Sequence, residues 1–379
     1  GNRRNHYDFI RELMTTLSEL KNKKIVILGA GLTGISCARF FHRHDISFSI
    51  NDSRDNFFSR LADEKSLVGK QCIDGQWNGD LIASADILMV SPGLDLNSKA
   101  LSKLIKPHTE VIGDVELYCQ LTSTPTIAVT GSNGKSTVVS LLEHVGKSLG
   151  KNVALGGNIG EPVLDLLSGN SSETAKSLEL LILELSSFQL ETLKSMKADA
   201  ASVLNVTDDH LDRHKTLANY ASIKQRIYAQ SKNTVSNRQD KLTNVPTNIL
   251  ADDSAQHLSF GIDKPSNGQF GLVEESSHSY LAYGDELLIA IDELPLAGQH
   301  NAQNYLAVLA LGLEVNWPLK EMVASFKGFD GLAHRCERVQ STDNIHWIND
   351  SKATNVGATI AAIEGISPIL EQSSQLILI

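Results

Sequence analysis

Residues 126–137, Thr-Ile-Ala-Val-Thr-Gly-Ser-Asn-Gly-Lys-Ser-Thr, constrain this chain more than any other stretch. A β-branched, apolar run enters a glycine-bounded loop that ends in Gly134-Lys135-Ser136-Thr137. The apolar run Val138-Val139-Ser140-Leu141-Leu142 then starts a helix. Strand, glycine loop and helix start together make a phosphate cradle. Loop N–H groups and the helix dipole attract anionic oxygens, a lysine adds a point charge, and hydroxyls can hold Mg²⁺. The loop is shorter than G-x-x-x-x-G-K-[ST], because Val129 occupies the place of the first glycine and Gly131 replaces it. Turn residues meeting by chance are the plain alternative. The strand before and the helix after favour a nucleoside triphosphate.

A second glycine turn lies upstream. Residues 24–28 (Lys-Ile-Val-Ile-Leu) read as a buried strand, Gly29-Ala-Gly31-Leu-Thr-Gly34 follows, and a helix pattern runs through Phe41. A further strand, Phe48–Ile50, ends near Asp52, the acidic residue expected about twenty positions after such a turn. Pattern alone fixes a diphosphate at a helix start and leaves the nucleotide open. An NAD-dependent oxidoreductase would explain this turn and leave residues 126–137 without a use. A non-catalytic nucleotide switch would leave Glu184 and residues 205–214 without one. Ile87–Val90 running into Ser91-Pro92-Gly93 repeats the strand-to-tight-loop theme.

A chain of 379 residues calls for two or three domains. Hydrophobic content of 41% and charged content of 21% suit a soluble globular protein. The net charge of −10 argues against nucleic acid as partner, since phosphate backbones demand a basic surface. The four cysteines, Cys37, Cys72, Cys119 and Cys336, have no zinc spacing and read as free thiols in a reduced compartment. No run approaches the roughly 18 apolar residues of a membrane span. Gly1-Asn2-Arg3-Arg4 reads as a tag remnant and is set aside.

Thr122–Pro125 looks like a linker into a second α/β unit. Leu180–Glu184 and Ala201–Asn205 are further buried-strand candidates, and ligands in parallel sheets sit at such carboxyl ends. Short runs between 257 and 295 suggest antiparallel strands. In the tail, Ile345–Ile348 reads as a strand, Asn355–Ile363 as a helix and Gln375–Ile379 as another strand. One such unit cannot bury its own faces, so more of this domain is expected beyond Ile379.

Several polar residues ask for chemistry. Glu184 ends an apolar strand, where a carboxylate facing a phosphate loop can hold Mg²⁺; a solvated strand end is the alternative. Residues 205–214, Asn-Val-Thr-Asp-Asp-His-Leu-Asp-Arg-His, pack three carboxylates and two imidazoles together. That density suits metal binding or shifted pKa values, and equally a helix cap with Thr207 or Asp208 as N-cap. Lys224 looks like an ordinary helical lysine. Arg335, Asp350 and Lys352 flank strand ends and read otherwise as surface charge.

Taken together, GAGLTG at 29–34, GDVELYC at 113–119, TGSNGKST at 130–137, GGNIG at 156–160, LELSSFQLE at 183–191, NVTDDHLDRH at 205–214, AGQHN at 297–301 and INDSKATN at 348–355 resemble the Mur ligase family. These are ATP-dependent, amide-forming enzymes of bacterial cell-wall synthesis. The LSSFQ continuation is similar to the branch that joins D-glutamate to UDP-N-acetylmuramoyl-L-alanine.

The resemblance implies an α/β fold in three domains. These would be an N-terminal Rossmann-like domain (22–114), a central P-loop ATPase-like domain (115–331) and a C-terminal Rossmann-like domain (332–379), incomplete here. It implies that the first glycine turn holds a UDP-sugar, with Gly31, Leu32, Thr33, Gly34, Asp52, Arg54, Ser91, Gly93, Asn158 and Ser186 on the UDP-muropeptide. ATP would meet Gly131, Ser132, Asn133, Gly134, Lys135, Ser136, Thr137, Asn301, Asn304, Arg335 and Asp350. Ser136 and Glu184 would hold one Mg²⁺, and His210 with a carbamylated Lys224 a second. Lys135, His210 and Lys224 would be catalytic, and Lys352 and Thr354 would face D-glutamate. A cytoplasmic monomer acting through an acyl phosphate is the implied enzyme.

Overall fold

The computed structural model describes residues 6–167, 178–209, 211–250, 256–329, 331–332, 337–339, 345, 347–353, 356–366 and 375–378. The chain divides into two compact units, interleaved in sequence. Unit 1 comprises Gly1–Thr124, Gly156–Ser177 and Leu185–Lys197; unit 2 comprises Pro125–Leu155, Leu178–Glu184 and Ala198–Ile379.

Unit 1 opens with α1 (His6–Lys21) and continues with β1 (Ile25–Leu28), α2 (Leu32–Arg43), β2 (Phe48–Asn51), β3 (Gln71–Ile73), α3 (Gly79–Ala83), β4 (Ile87–Val90), β5 (Glu110–Ile112) and α4 (Asp114–Leu121). The strands form one parallel sheet, ordered β3-β2-β1-β4-β5. Every residue of β1 and β4 is buried. Such uninterrupted apolar strands suit a parallel sheet covered on both faces. Val26, Leu28, Ile82, Leu88 and Leu101 form the heart of one core cluster.

The turn between β1 and α2 depends on close backbone packing. A Cβ on Gly34 would collide with the Gly29 carbonyl oxygen, whereas one on Gly31 would meet nothing within 4 Å. Gly34 therefore lets the helix start sit against the strand end, and Gly31 leaves space above it.

Unit 2 carries a nine-stranded sheet. Its first elements are β6 (Thr126–Thr130), α5 (Lys135–Ser148), β7 (Val153–Gly157, whose last two residues belong to unit 1) and β8 (Leu180–Glu184). After α6 (Ser187–Thr192) in unit 1 come β9 (Ala198–Val203), α7 (Leu211–His214), α8 (Leu217–Gln225), β10 (Ser231–Asn237), α9 (Thr247–Leu250) and β11 (His257–Phe260). The antiparallel run β12 (Phe270–Glu275), β13 (His278–Tyr283) and β14 (Glu286–Ala290) completes it. The order is β14-β13-β12-β11-β10-β9-β6-β8-β7. α10 (Gln299–Glu314) follows; its residues 304–312 are all buried, as befits a helix apolar on every side. α11 (Leu319–Ser325), the antiparallel pair β15 (Glu337–Val339) and β16 (Trp347–Asn349), and α12 (Val356–Ile366) finish the described chain.

Most expected elements are present, but β11, in the stretch read as antiparallel, pairs parallel with β10 and β12, and two further readings differ. The strand read at 201–205 instead runs Ala198–Val203. The ladder ends at Val203 because the Asn205 carbonyl, in place of the Leu204 carbonyl, takes the Ser132 N–H at 2.9 Å, while the Leu204 N–H still bonds the Thr130 carbonyl at 2.9 Å. Residues 375–378, read as a strand, have no strand structure. Leu376–Leu378 are exposed, and among the described residues no strand pairs with them, so they make no ladder.

Gly34→Ala is expected to destabilise unit 1 by about 3 kcal/mol through overpacking against backbone. Gly31→Ala should cost at most about 1 kcal/mol. Calorimetric melting of the two variants beside the parent checks the contrast; equal midpoints for the two variants would refute the packing account.

Candidate active site

The phosphate loop of unit 2 is built from backbone held in place by side chains. β6 delivers Thr130, and α5 starts at Lys135 with Gly134 as its N-cap in the left-handed region, at φ 81°. A Cβ at Gly134 would lie 2.6 Å from Asn304 Oδ1, so glycine is required by both conformation and space. The chain leaving β9 straps the loop. Asn205 Oδ1 accepts the Asn133 N–H at 2.8 Å, and Asn205 Nδ2 donates to the Asn133 carbonyl at 3.0 Å. Ser132 Oγ accepts the Thr207 N–H at 2.9 Å and donates to the Thr207 carbonyl at 3.1 Å. Thr207 is thus a strap for the loop, where a helix cap was the simpler reading. Gly131–Thr137 consequently form one fixed cradle at the head of a 14-residue helix, whose dipole favours anionic oxygens.

Two lysines converge beneath it. Lys135 Nζ donates to the Gly131 carbonyl at 2.7 Å and to the Ser132 carbonyl at 3.1 Å. Lys224, on α8, donates to the same Gly131 carbonyl at 3.0 Å and to Thr130 Oγ1 at 3.3 Å. Lys224 is only 1% exposed, and its Nζ lies 4.5 Å from the centroid of the Tyr220 ring. Burial pushes its ammonium well below the usual lysine range. The Lys135 charge pushes the same way, and Asp209 and Glu184 pull back. Burial also pushes the Tyr220 phenol up to about 12, against a hydrogen bond with Ser132 and with help from Asp209. An ordinary helical lysine is therefore the wrong reading of Lys224.

Glu184 ends β8, opposite Val129 in the parallel register, and is 1% exposed. Ser136 and Thr137 open α5 and are also buried. A buried carboxylate and hydroxyls at one strand edge are hard oxygen donors of the kind Mg²⁺ takes, so the residues fit that ion. The lysine amine of Lys224 is not such a donor as it stands. Asn304 reaches the loop from α10, and its Nδ2 donates to Asn301 Oδ1 at 3.2 Å. The structure thus brings Asn304 beside Gly134, with Asn301 bonded to it. Asp350 and Lys352 sit on the turn after β16, with the Asp350 carbonyl accepting the Ala353 N–H at 2.9 Å. His210, Arg335 and Thr354 lie outside the described residues.

Unit 1 holds the second group of expected site residues. Asp52 is 2% exposed and takes the Ala30 N–H at 2.7 Å, which ties the glycine turn. Arg54 forks onto both its oxygens, with Nε at 2.8 Å and Nη2 at 2.7 Å, and lies 3.5 Å over the Phe57 ring. Burial alone would raise the Asp52 pKa. The Arg54 fork and the two backbone N–H groups outweigh it and bring the carboxyl down to about 2. Ser91 Oγ is buried without a hydrogen-bond partner, and a Cβ on Gly93 would meet nothing within 4 Å. Leu32 and Thr33 begin α2 beside Gly31, and Leu32 is 87% exposed. Asn158 is exposed after β7. Ser186 is the N-cap of α6 in a full capping box with Gln189, a use that the S-x-x-Q spacing announces. Reading by residue type missed Asn205 and Thr130, whose roles come from chain reversal at the loop.

A fixed phosphate cradle at a strand's carboxyl end, with a lysine at its helix start, a buried second lysine and a buried carboxylate, defines a nucleotide-binding α/β enzyme. Residues 129–312 match the Mur ligase middle domain, and residues 23–113 match the Mur ligase MurD-like N-terminal domain. The chain is 52% identical, over 97% of its length and 79% of the relative's, to a UDP-N-acetylmuramoylalanine–D-glutamate ligase of Colwellia psychrerythraea. It is 40% identical to the Pseudomonas aeruginosa protein of that name, over 90% and 74% of the two chains. Two solved structures share the fold. A pseudomurein peptide ligase type C from Methanothermus fervidus gives TM-score 0.54 at 19% identity, covering 93% and 78% of the two chains. A UDP-N-acetylmuramate–alanine ligase from Thermotoga maritima gives 0.54 at 20%, covering 91% and 78%. The chain belongs to the Mur ligase family and is an ATP-dependent amide-forming ligase. Among the described residues, no helix is long and apolar enough to cross a membrane.

Because the Asp52 pKa falls on folding, its ion pair contributes stability above the unfolded value of 3.8 and loses it as pH falls through about 2. Asp52→Asn should cost roughly 1–2 kcal/mol at neutral pH, allowing for solvent at the Arg54 end. Urea titrations should show the gap closing between pH 4 and 2. A gap that stays constant across that range would contradict this.

Proposed function

We propose that this chain joins D-glutamate to UDP-N-acetylmuramoyl-L-alanine at the expense of ATP. One observation carries the reading: a strapped phosphate loop headed by Lys135, in a chain 52% identical to a ligase named for that reaction. In the first step the muropeptide carboxylate attacks the γ-phosphorus of ATP, giving an acyl phosphate and ADP. In the second, the D-glutamate amine attacks the acyl carbon, the C–O bond to phosphate breaks, and the amine's extra proton leaves. Phosphoryl transfer of this kind is mainly positioning and charge neutralisation. Loop N–H groups and Lys135 serve both ends. Mg²⁺, held by Ser136 and Glu184, would supply further neutralisation of the phosphate oxygens.

The finer roles belong to the same proposal. Gly31, Leu32, Thr33, Gly34, Ser91, Gly93, Asn158 and Ser186 take the muropeptide, with Asp52 and Arg54 on the uridine side. Asn301, Asn304, Arg335 and Asp350 take ATP, Lys352 and Thr354 face D-glutamate, and His210 joins Lys224 at a second Mg²⁺. The domain boundaries 22–114, 115–331 and 332–379, a cytoplasmic setting and a monomeric state go with it. Lys224 is carbamylated: its neutral amine adds to CO₂, a proton leaves, and an anion replaces a cation. Burial that favours the neutral amine supports this step.

An amino-acid panel with UDP-N-acetylmuramoyl-L-alanine and ATP, scored by product mass, tests the substrate; a product with another amino acid and none with D-glutamate defeats it. Lys135→Ala should cut phosphate release roughly 10³-fold while UDP-muropeptide binding is retained. Release near the parent rate would remove the loop from the reaction. Protein equilibrated with ¹³C-bicarbonate should show a carbamate carbon resonance that Lys224→Arg lacks; the same resonance in both excludes Lys224 as its source.

A further inference from the structure

The strap that fixes the phosphate loop is itself held by a third segment of unit 2. Leu204 to Thr207 form the strap, and two residues at the turn after β10 grip it. Asn237, the last residue of β10, donates Nδ2 to the Leu204 carbonyl at 3.1 Å. Asp240 Oδ2 accepts the Val206 N–H at 2.7 Å, from 34 positions further along the chain. Val206 is buried, and it stands between the two anchors of the loop, Asn205 on Asn133 and Thr207 on Ser132. A hold on its N–H is therefore passed to both.

Asp240 divides its two oxygens between two tasks. Oδ1 accepts the Leu242 N–H at 3.0 Å and caps a short 3₁₀ turn, Lys241–Thr243. That turn also meets the helix that carries Lys224, because Gln225, the last residue of α8, donates Nε2 to the Leu242 carbonyl at 2.9 Å. Oδ2 goes to the strap. Capping alone needs one acceptor atom, which serine or asparagine supplies as well. Two N–H groups met by two separate oxygens need a carboxylate, since an amide puts a donor in the second place. The residue type at 240 is thus explained by the strap and not by the turn.

We propose that Asp240 is a positioning residue for the phosphate loop. Through Val206 it fixes the strap, the strap fixes Ser132 and Asn133, and the head of α5 keeps one geometry for the phosphates of a nucleotide. Preorganised N–H groups are worth most when they need no rearrangement as the anion arrives. The proposal rests on the loop being the nucleotide site.

Asp240→Ser separates the two tasks, for it keeps a capping oxygen for Leu242 and removes the arm to Val206. In the full chain without ligand, amide hydrogen exchange at Ser132 and Asn133 should quicken about tenfold, while Leu242 and β1 keep the parent's rates. Calorimetric titration with ADP and magnesium chloride should give a dissociation constant about tenfold weaker at unchanged stoichiometry. A merely structural defect would instead lower the number of competent sites and leave their affinity alone. Unchanged exchange at Ser132 and Asn133 overturns the proposal, and so does quickening spread evenly over unit 2 or an unchanged ADP affinity. A parent that binds no ADP refutes the nucleotide assignment of the loop, and exchange still decides the role of Asp240. Should the serine variant not fold, Asp240→Asn, with one acceptor oxygen for two N–H groups, is judged by the same two measurements.

Discussion

Two lysine nitrogens share one carbonyl oxygen in this protein, and the chemistry of unit 2 depends on that arrangement. Gly131 accepts from Lys135 and from Lys224, and Lys224 has almost no access to water. Two ammonium groups on one acceptor in a poorly solvated place repel strongly, so the pair is tolerable only with compensation. Glu184 and Asp209 supply part of it through space. Burial, which favours the neutral amine of Lys224, eases it further. The loop is therefore poised: Lys135 lies folded onto its own carbonyls, and an arriving phosphate offers it a better acceptor.

The two glycine turns solve the same problem by different means. Each follows a buried central strand and opens a helix, where unsatisfied N–H groups gather. In unit 1 the Asp52 carboxylate occupies the Ala30 N–H and is neutralised in turn by Arg54. An internal anion stiffens that turn while the space above Gly31 stays open. In unit 2 the stiffening comes from neutral amide and hydroxyl groups, Asn205 and Ser132, which leave the positive field of α5 undiminished.

Parallel strands were legible because period and burial agree: β1 and β4 are unbroken apolar runs, β6 and β8 are apolar but for their end residues, and both glycine loops declared themselves by spacing. Residues set by chain reversal were not legible. Nothing local in Asn205-Val206-Thr207 says that it folds back onto residues 132–133, and its acid-rich neighbours drew attention elsewhere. Lys224 was invisible from pattern alone, since α8 has a mixed sequence and burial of one lysine depends on what Thr130 and Gly131 place above it. The short edge strands β3 and β5 also escaped, having too few residues to show a period.

Several short strings that carry the family likeness turn out to hold backbone. In GDVELYC, Glu116 is buried and its oxygens accept the Lys194 N–H at 2.6 Å, the Ser195 N–H at 2.9 Å and the Ser195 hydroxyl at 2.6 Å. In LSSFQ, Ser186 and Gln189 cap the start of α6 reciprocally. One string therefore fixes the exit of the 185–197 segment and the other its entry, both within unit 1. Gln120 Nε2 adds a fourth donor at 2.9 Å, and removing so fully satisfied a carboxylate leaves backbone N–H groups without an acceptor. The family signature is thus in large part a record of backbone groups that had to be satisfied away from water.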